Sequence, residues 1–278
     1  ILRSEAHYIG FPSNFTIYDT QDSLNVLKKV LKEMNIDSDL YKPKKVQGRI
    51  SQYKNNLITV KAYYNNPELM EADERANMKL MGQIYQKYVE TCFKNGAMDF
   101  DDLLLRTNEL LTRFPEVLAK YQDRFRYILV DEYQDTNHSQ YLIVKALASK
   151  FENICVVGDD AQSIYSFRGA NIQNILKKDY PDAKIVSLEQ NYRSTQNIVN
   201  AANDLISKNI NQFEKNVFSD NEIGEKIKVY RSLSDADEAN FVAGNIWEQH
   251  NFNQKKFNDF AILYRTNSQT RAFEDALR

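Results

Sequence analysis

Tyr127-Ile-Leu-Val-Asp-Glu-Tyr-Gln-Asp-Thr136 constrains this chain more than any other stretch. Its first half is a short apolar run of β-formers, and its second half opens abruptly into carboxylates. The pattern predicts a buried strand over 127–130, with Asp131 and Glu132 just past its C-terminal end. Open α/β sheets bind ligands at that edge. Two adjacent acids are costly there unless positive charge arrives, and Mg2+ carried by a nucleoside triphosphate would supply it. Taken alone, the pair fits a solvated acidic turn equally well. Gln134, Asp135 and Thr136 add polar groups to the same turn and weigh against that plainer reading.

The surrounding texture sets the fold class. From residue 127 onward, apolar β-rich runs at 127–130, 154–157, 185–188, 227–230 and 260–263 alternate with helical patterns at 139–150, 172–177, 196–207 and 236–249. Such alternation predicts an α/β fold with a mainly parallel sheet wrapped by helices. Between residues 19 and 95 the pattern is helical and polar instead. Asp19 and Thr20 are N-cap candidates, Leu24, Leu27, Val30, Leu31 and Met34 recur at helical spacing, and Ile84, Tyr85, Tyr88 and Val89 suit one buried face. Pro67 marks a break, Asp99 to Asp102 place acids in a helix's first turn, and Pro115 suits the first position of another.

Composition excludes several classes. With 278 residues, 42% of them hydrophobic and 27% charged, the chain can build one large domain or two ordinary ones. A net charge of −2 argues against attachment to nucleic acid by bulk charge, though not against a local groove. Cys92 and Cys155 show no disulfide or zinc spacing and read as reduced thiols in a cytoplasmic protein. No apolar run is long enough to span a membrane, and no signal peptide opens the chain. The chain begins at Ile1 in what looks like the tail of a helix and ends inside a helical pattern at 272–278, so a fragment cut at both ends is expected.

Two further blocks carry chemistry. In Val156-Val-Gly-Asp-Asp-Ala-Gln-Ser-Ile-Tyr-Ser-Phe-Arg-Gly169, a second strand runs into Gly158-Asp159-Asp160. Gln162 carries both a donor and an acceptor and could sense a γ-phosphate without fixing a charge. Tyr165, Phe167 and Arg168 offer stacking faces and a phosphate partner for a single strand; core packing is the plainer role for the two aromatics. In Leu188-Glu-Gln-Asn-Tyr-Arg-Ser194, Tyr192 can stack on a purine and Arg193 can neutralise charge on a phosphoryl group. Arg193 also fits an ordinary surface position in a strand–helix loop.

The three blocks, in this order and at these distances, resemble motifs II, III and IV of superfamily 1 DNA helicases of the UvrD/PcrA/Rep type. The resemblance covers essentially the whole chain, including Met98-Asp-Phe-Asp-Asp-Leu-Leu104 and Tyr264-Arg-Thr-Asn-Ser-Gln-Thr-Arg271. It implies an ATP-dependent motor that walks 3′→5′ on single-stranded DNA and opens duplex at single/double-strand junctions, in repair or replication. Asp131 would hold Mg2+, Glu132 would be the base for the attacking water, and Gln162 would link the γ-phosphate to the DNA site. Tyr192 would stack on adenine and Arg193 would be the arginine finger. Tyr165, Phe167 and Arg168 would contact DNA, with Phe167 standing where the family usually has Trp. Arg265 and Asn267 match a second DNA-contacting segment, although an ordinary strand-end loop explains them as well.

The implied architecture is a RecA-like parallel-sheet domain of the P-loop NTPase type over 1–18 and 98–194, an all-helical insertion over 19–97, and the start of a second RecA-like domain over 195–278. No G-x-x-x-x-G-K-S/T occurs, so the phosphate loop is expected upstream, the later motifs downstream, and negligible ATPase from these residues alone. Two other readings compete: a catalytically inactive DNA-binding or partner-docking module, and the helicase part of a helicase–nuclease.

Overall fold

Local signals start the helices where the sequence places them. A computed structural model describes residues 1–162, 179–209 and 215–278. After a short first helix, α1 (Leu2–Glu5), and strand β1 (Thr16–Tyr18), Asp19 caps α2 (Thr20–Glu33), its carboxylate accepting from the Asp22 N–H at 2.7 Å. Helices α3 (Pro43–Asn55), α4 (Val60–Tyr64), α5 (Pro67–Arg75) and α6 (Met81–Lys94) follow, and Pro67 stands at the start of α5. At 5–14 residues each, these helices are too short to persist alone, so packing must hold them. Leu27, Val30, Leu31, Ile50, Tyr53, Met81, Ile84, Tyr85 and Tyr88 form that shared core, each at most 2% exposed. Burial of each large apolar side chain contributes about 1.5–3 kcal/mol.

The helical set is one long crossover. It leaves from β1 and returns to β2 (Ala97–Asp99), which pairs parallel with β1 in the register Thr16 to Ala97. Strand β2 carries only three residues and is missing from the strands expected above, because Ala-Met-Asp has no period long enough to stand out. Asp99 then caps α7 (Phe100–Arg113), and Pro115 opens α8 (Pro115–Arg124). Leu2, Ala6, Phe11, Phe15, Met98, Leu110, Val117 and Tyr121 form a second core under this pair of strands.

Strand β3 (Ile128–Val130), helix α9 (His138–Ala148) and strand β4 (Ile154–Val156) complete a parallel βαβ unit, with Ile128 opposite Ile154 and Val130 opposite Val156. The expectation of a buried strand over 127–130 needs correction here. Leu129 is 77% exposed and Tyr127 75%, while Ile128 and Val130 are half-buried. The strand alternates because only one face is covered, whereas parallel strands usually have helices on both.

The expected mainly parallel sheet is present only in pieces. Among the described residues there are two separate two-stranded parallel pairs, β1–β2 and β3–β4. The runs 185–188, 227–230 and 260–263 join no ladder; among the described residues of this part the sole pairing is a parallel bridge between Gln190 and Phe218. Their β-branched residues favour extended backbone, but a strand exists only with a hydrogen-bonded neighbour. The helix expected over 172–177 lies outside the described residues.

Packing divides the chain after Val186. The second unit, residues 187–208 and 215–278, contains α10 (Gln196–Ile206), α11 (Asp235–Asn253) and α12 (Thr270–Leu277). Ser234 caps α11, accepting from the Asp237 N–H at 3.2 Å.

Candidate active site

Parallel pairing of β3 and β4 brings two turns to the same carboxyl edge. The pairing continues past the strands: the Val157 N–H donates to the Val130 carbonyl at 2.8 Å, and the Tyr133 N–H to the Val157 carbonyl at 2.9 Å. The acid turn after β3 is thereby laced to the turn after β4. Asp131 Oδ1 accepts from the Glu132 N–H at 2.9 Å. Glu132 sits at φ 50°, ψ 39°, in the left-handed region. A side chain other than glycine held there costs about 1–3 kcal/mol and persists only where its surroundings enforce it.

Gln134 is one enforcer, and its position is legible only in three dimensions. It is 2% exposed and lies between the two turns. Its Nε2 donates to Glu132 Oε2 at 2.6 Å, and its Oε1 accepts from the Asp159 N–H at 3.1 Å. Gly158 makes room for it, since a Cβ there would stand 2.8 Å from Gln134 Oε1. Asp159 in turn receives Gln162 Nε2 at 2.8 Å on Oδ2 and the Ala161 N–H at 3.0 Å on Oδ1. Of the residues singled out from sequence, Glu132 and Gln162 are therefore joined through Gln134 and Asp159. Asp131, Glu132 and Gln162 are themselves exposed.

The acid turn is also anchored from behind. Tyr133 is buried, which pushes its phenol up to about 12. Asn137 caps α9, accepting from the Gln140 N–H at 2.9 Å, and its Nδ2 donates to Asn55 Oδ1 of α3 at 2.9 Å. Asn55 continues to Asp101 Oδ1 at 2.8 Å. Neither asparagine stands out in the sequence, because their partners lie tens of positions away.

In the second unit, Asn191 builds an Asx turn, its Oδ1 accepting from the N–H groups of Arg193 at 3.0 Å and Ser194 at 2.8 Å. That turn presents Tyr192, 77% exposed, and an exposed Arg193. The Tyr192 hydroxyl donates to Gln190 Oε1 at 2.7 Å. Arg265 and Asn267 are exposed beside the start of α12, where Gln269 Oε1 accepts from the Arg265 and Thr266 N–H groups. Tyr165, Phe167 and Arg168 lie outside the described residues.

Two family descriptions match consecutive parts of the chain: UvrD/REP helicase N-terminal domain over residues 1–182, and UvrD-like helicase C-terminal domain over 186–278. The chain belongs to the UvrD-like helicase family. Among its relatives, the ATP-dependent DNA helicase PcrA of Bacillus subtilis (strain 168) is 46% identical over the whole of this chain. Its namesake in Staphylococcus aureus (strain Mu50 / ATCC 700699) is 48% identical over 99% of it. The chain spans 37% of the length of each. Membership of the UvrD-like family brings RecA-like domains, consistent with the parallel pairs and helices described above. Among the described residues, no helix is long and apolar enough to cross a membrane.

Proposed function

We propose that these residues are the central part of an ATP-dependent DNA helicase that moves 3′→5′ on single-stranded DNA and separates duplex at single/double-strand junctions. Cytoplasmic DNA repair or replication is the setting proposed for it. Residues 1–18 and 98–194 would form the first motor domain, 19–97 its helical insertion, and 195–278 the start of the second motor domain. The observation that carries this reading is the strained Glu132 beside Asp131, laced to the Gln162 turn at the carboxyl edge of two parallel strands.

In this reading Glu132 accepts the proton of the attacking water, from a backbone position that the turn holds in the left-handed region. Gln162 contacts the γ-phosphate, Tyr192 stacks on the adenine, and Arg193, presented by the Asn191 turn, neutralises charge on the transferring phosphoryl group. Tyr165, Phe167, Arg168, Arg265 and Asn267 contact single-stranded DNA.

Asp131 suits Mg2+. It offers a hard oxygen donor on an exposed turn, and one oxygen is already oriented by the Glu132 N–H. Among the described residues no group of three or more His, Cys, Asp or Glu side chains could cage a metal. One carboxylate with nucleotide phosphates and water is the usual Mg2+ arrangement in nucleotide sites. When bound, the ion would neutralise charge developing on the phosphates.

Glu132→Gln tests the reading in the full-length protein. It should keep ATP binding and lower turnover by about 10²–10⁴-fold, the usual contribution of a general base. Normal turnover in that variant would remove Glu132 from the mechanism.

A further inference from the structure

The buried amide of Gln134 is given no chemical step in the reading above, yet it joins the two turns of the site. Its two ends face different turns. The donor end meets the carboxylate of Glu132 at 2.6 Å, and the acceptor end meets the backbone N–H of Asp159 at 3.1 Å. Both contacts are satisfied by one orientation of the amide, so it cannot flip without placing donor against donor and acceptor against acceptor. Asp159 is at the same time the anchor of Gln162, whose Nε2 lies 2.8 Å from Asp159 Oδ2. A continuous polar path thus runs Gln162, Asp159, Gln134, Glu132. Its middle member is 2% exposed, where hydrogen bonds are strong and costly to leave unmade.

We propose that Gln134 is a positioning residue that transmits the placement of the Gln162 turn to the carboxylate of Glu132. The proposal rests on the assignment of Glu132 as general base. A shift of the turn that carries Asp159 and Gln162 moves the Asp159 N–H. Gln134 follows because its acceptor is held there, and its donor end re-aims Glu132. When Gln162 is engaged, Glu132 points at the water; when the turn relaxes, Glu132 is withdrawn. Hydrolysis is thereby made conditional on the state of the second turn.

Gly158 gives an independent handle on the same link. Its backbone does not occupy the left-handed region, so alanine is permitted by conformation. The added Cβ would nevertheless stand 2.8 Å from Gln134 Oε1 and 3.3 Å from the Gln134 N–H nitrogen. Gly158→Ala therefore pushes the amide away from outside, whereas Gln134→Met removes its polar ends with similar volume.

The experiment measures steady-state ATP hydrolysis, with melting temperature, for full-length Gln134→Met, Gly158→Ala and the double variant, alongside Glu132→Gln. Each single variant is expected to lower kcat about 10- to 100-fold, the scale of a misplaced catalytic group, with KM for ATP within about twofold. The double variant is expected to be no worse than the poorer single one, because both break one link. If kcat stays normal in both single variants while Glu132→Gln is dead, the connector is wrong and the base assignment stands. Losses that multiply in the double variant, or that fall on KM with a matching loss of melting temperature, also overturn it by assigning Gln134 a merely structural part. Should Gln134→Met fail to fold, Gly158→Ala alone decides through its split between kcat and KM. Normal turnover in Glu132→Gln sinks the underlying functional reading instead.

Discussion

One backbone conformation sets the geometry of the acid turn. Glu132 adopts positive φ without being glycine, and the Asp131 carboxylate, accepting its N–H at 2.9 Å, helps to hold it there. Asp131→Asn keeps an oxygen acceptor for that N–H but removes the negative charge. Stability should therefore stay within about 0.5 kcal/mol, as for other surface changes, while Mg2+-dependent ATP turnover in the full-length protein is lost. Unfolding curves and ATPase assays on the same preparation check both halves, and retained turnover would detach Asp131 from the metal. Gly224 makes a contrasting case. It sits at φ 74°, and a Cβ there would overlap the Thr195 side chain. Gly224→Ala combines backbone strain with a clash and should destabilise the second unit by about 2 kcal/mol or more, read by chemical denaturation.

Helix α3 is joined to α7 by a buried ion cluster. Lys54, 0% exposed, places Nζ 2.7 Å from Asp99 Oδ2 and 2.8 Å from Asp102 Oδ2, and the Tyr88 hydroxyl donates to Asp99 Oδ2 at 2.8 Å. Burial alone would discharge Lys54, but the Asp102 and Asp99 carboxylates outweigh it and the net shift is upward. Burial likewise opposes ionisation of Asp99, and Lys54 overturns that, holding the carboxyl below its ordinary range. Asp102 goes the other way, raised by burial and by its neighbour's charge. A raised lysine stabilises fully below its ordinary value of 10.5 and loses that contribution as pH rises through the folded value. A depressed aspartate stabilises above its ordinary 3.8 and loses it as pH falls through the folded value. The Lys54–Asp99 link is accordingly whole between those limits. Lys54→Met leaves two buried carboxylates without a counter-charge and should cost about 3–5 kcal/mol at neutral pH. The deficit should shrink as the acids take up protons, so urea midpoints at pH 5 and pH 8 should lie closer to wild type at pH 5. An equal deficit at both would show that the acids do not face each other when Lys54 is gone.

At the scale of the molecule the two units are unequally consolidated. Among the described residues, most buried aromatic and aliphatic side chains lie in the first unit, and those in the second are Val199, Ala239 and Phe273. The second unit also leaves Val229 94%, Leu233 98% and Leu263 93% exposed. Apolar burial is the main favourable term in folding, so the units should not melt together. Near-UV circular dichroism from the buried Tyr53, Tyr85 and Tyr88 should outlast part of the far-UV helical signal on heating. Coincident curves from the two probes would mean that the chain unfolds as one cooperative body. Hydrogen exchange should agree, with protection greatest in α2 and α6.

The sequence by itself determined what depends on neighbours along the chain. The cap at Asp19, the acid-led helix start at Asp99–Asp102, the break at Pro67, the start at Pro115 and the buried faces of α2 and α6 all form where local chemistry places them, because a cap or an i, i+4 stripe is satisfied within one or two turns. The emergence of Asp131 and Glu132 from the end of a strand was legible for the same reason. Tertiary structure alone decided which strands pair, that Leu129 stays exposed, and that Lys54 meets acids about 45 positions away. It also decided that Gln134 reaches Asp159 across 25 positions. Those partners are chosen by packing that closes long loops, and no local pattern records which of many chemically equivalent side chains will be brought together.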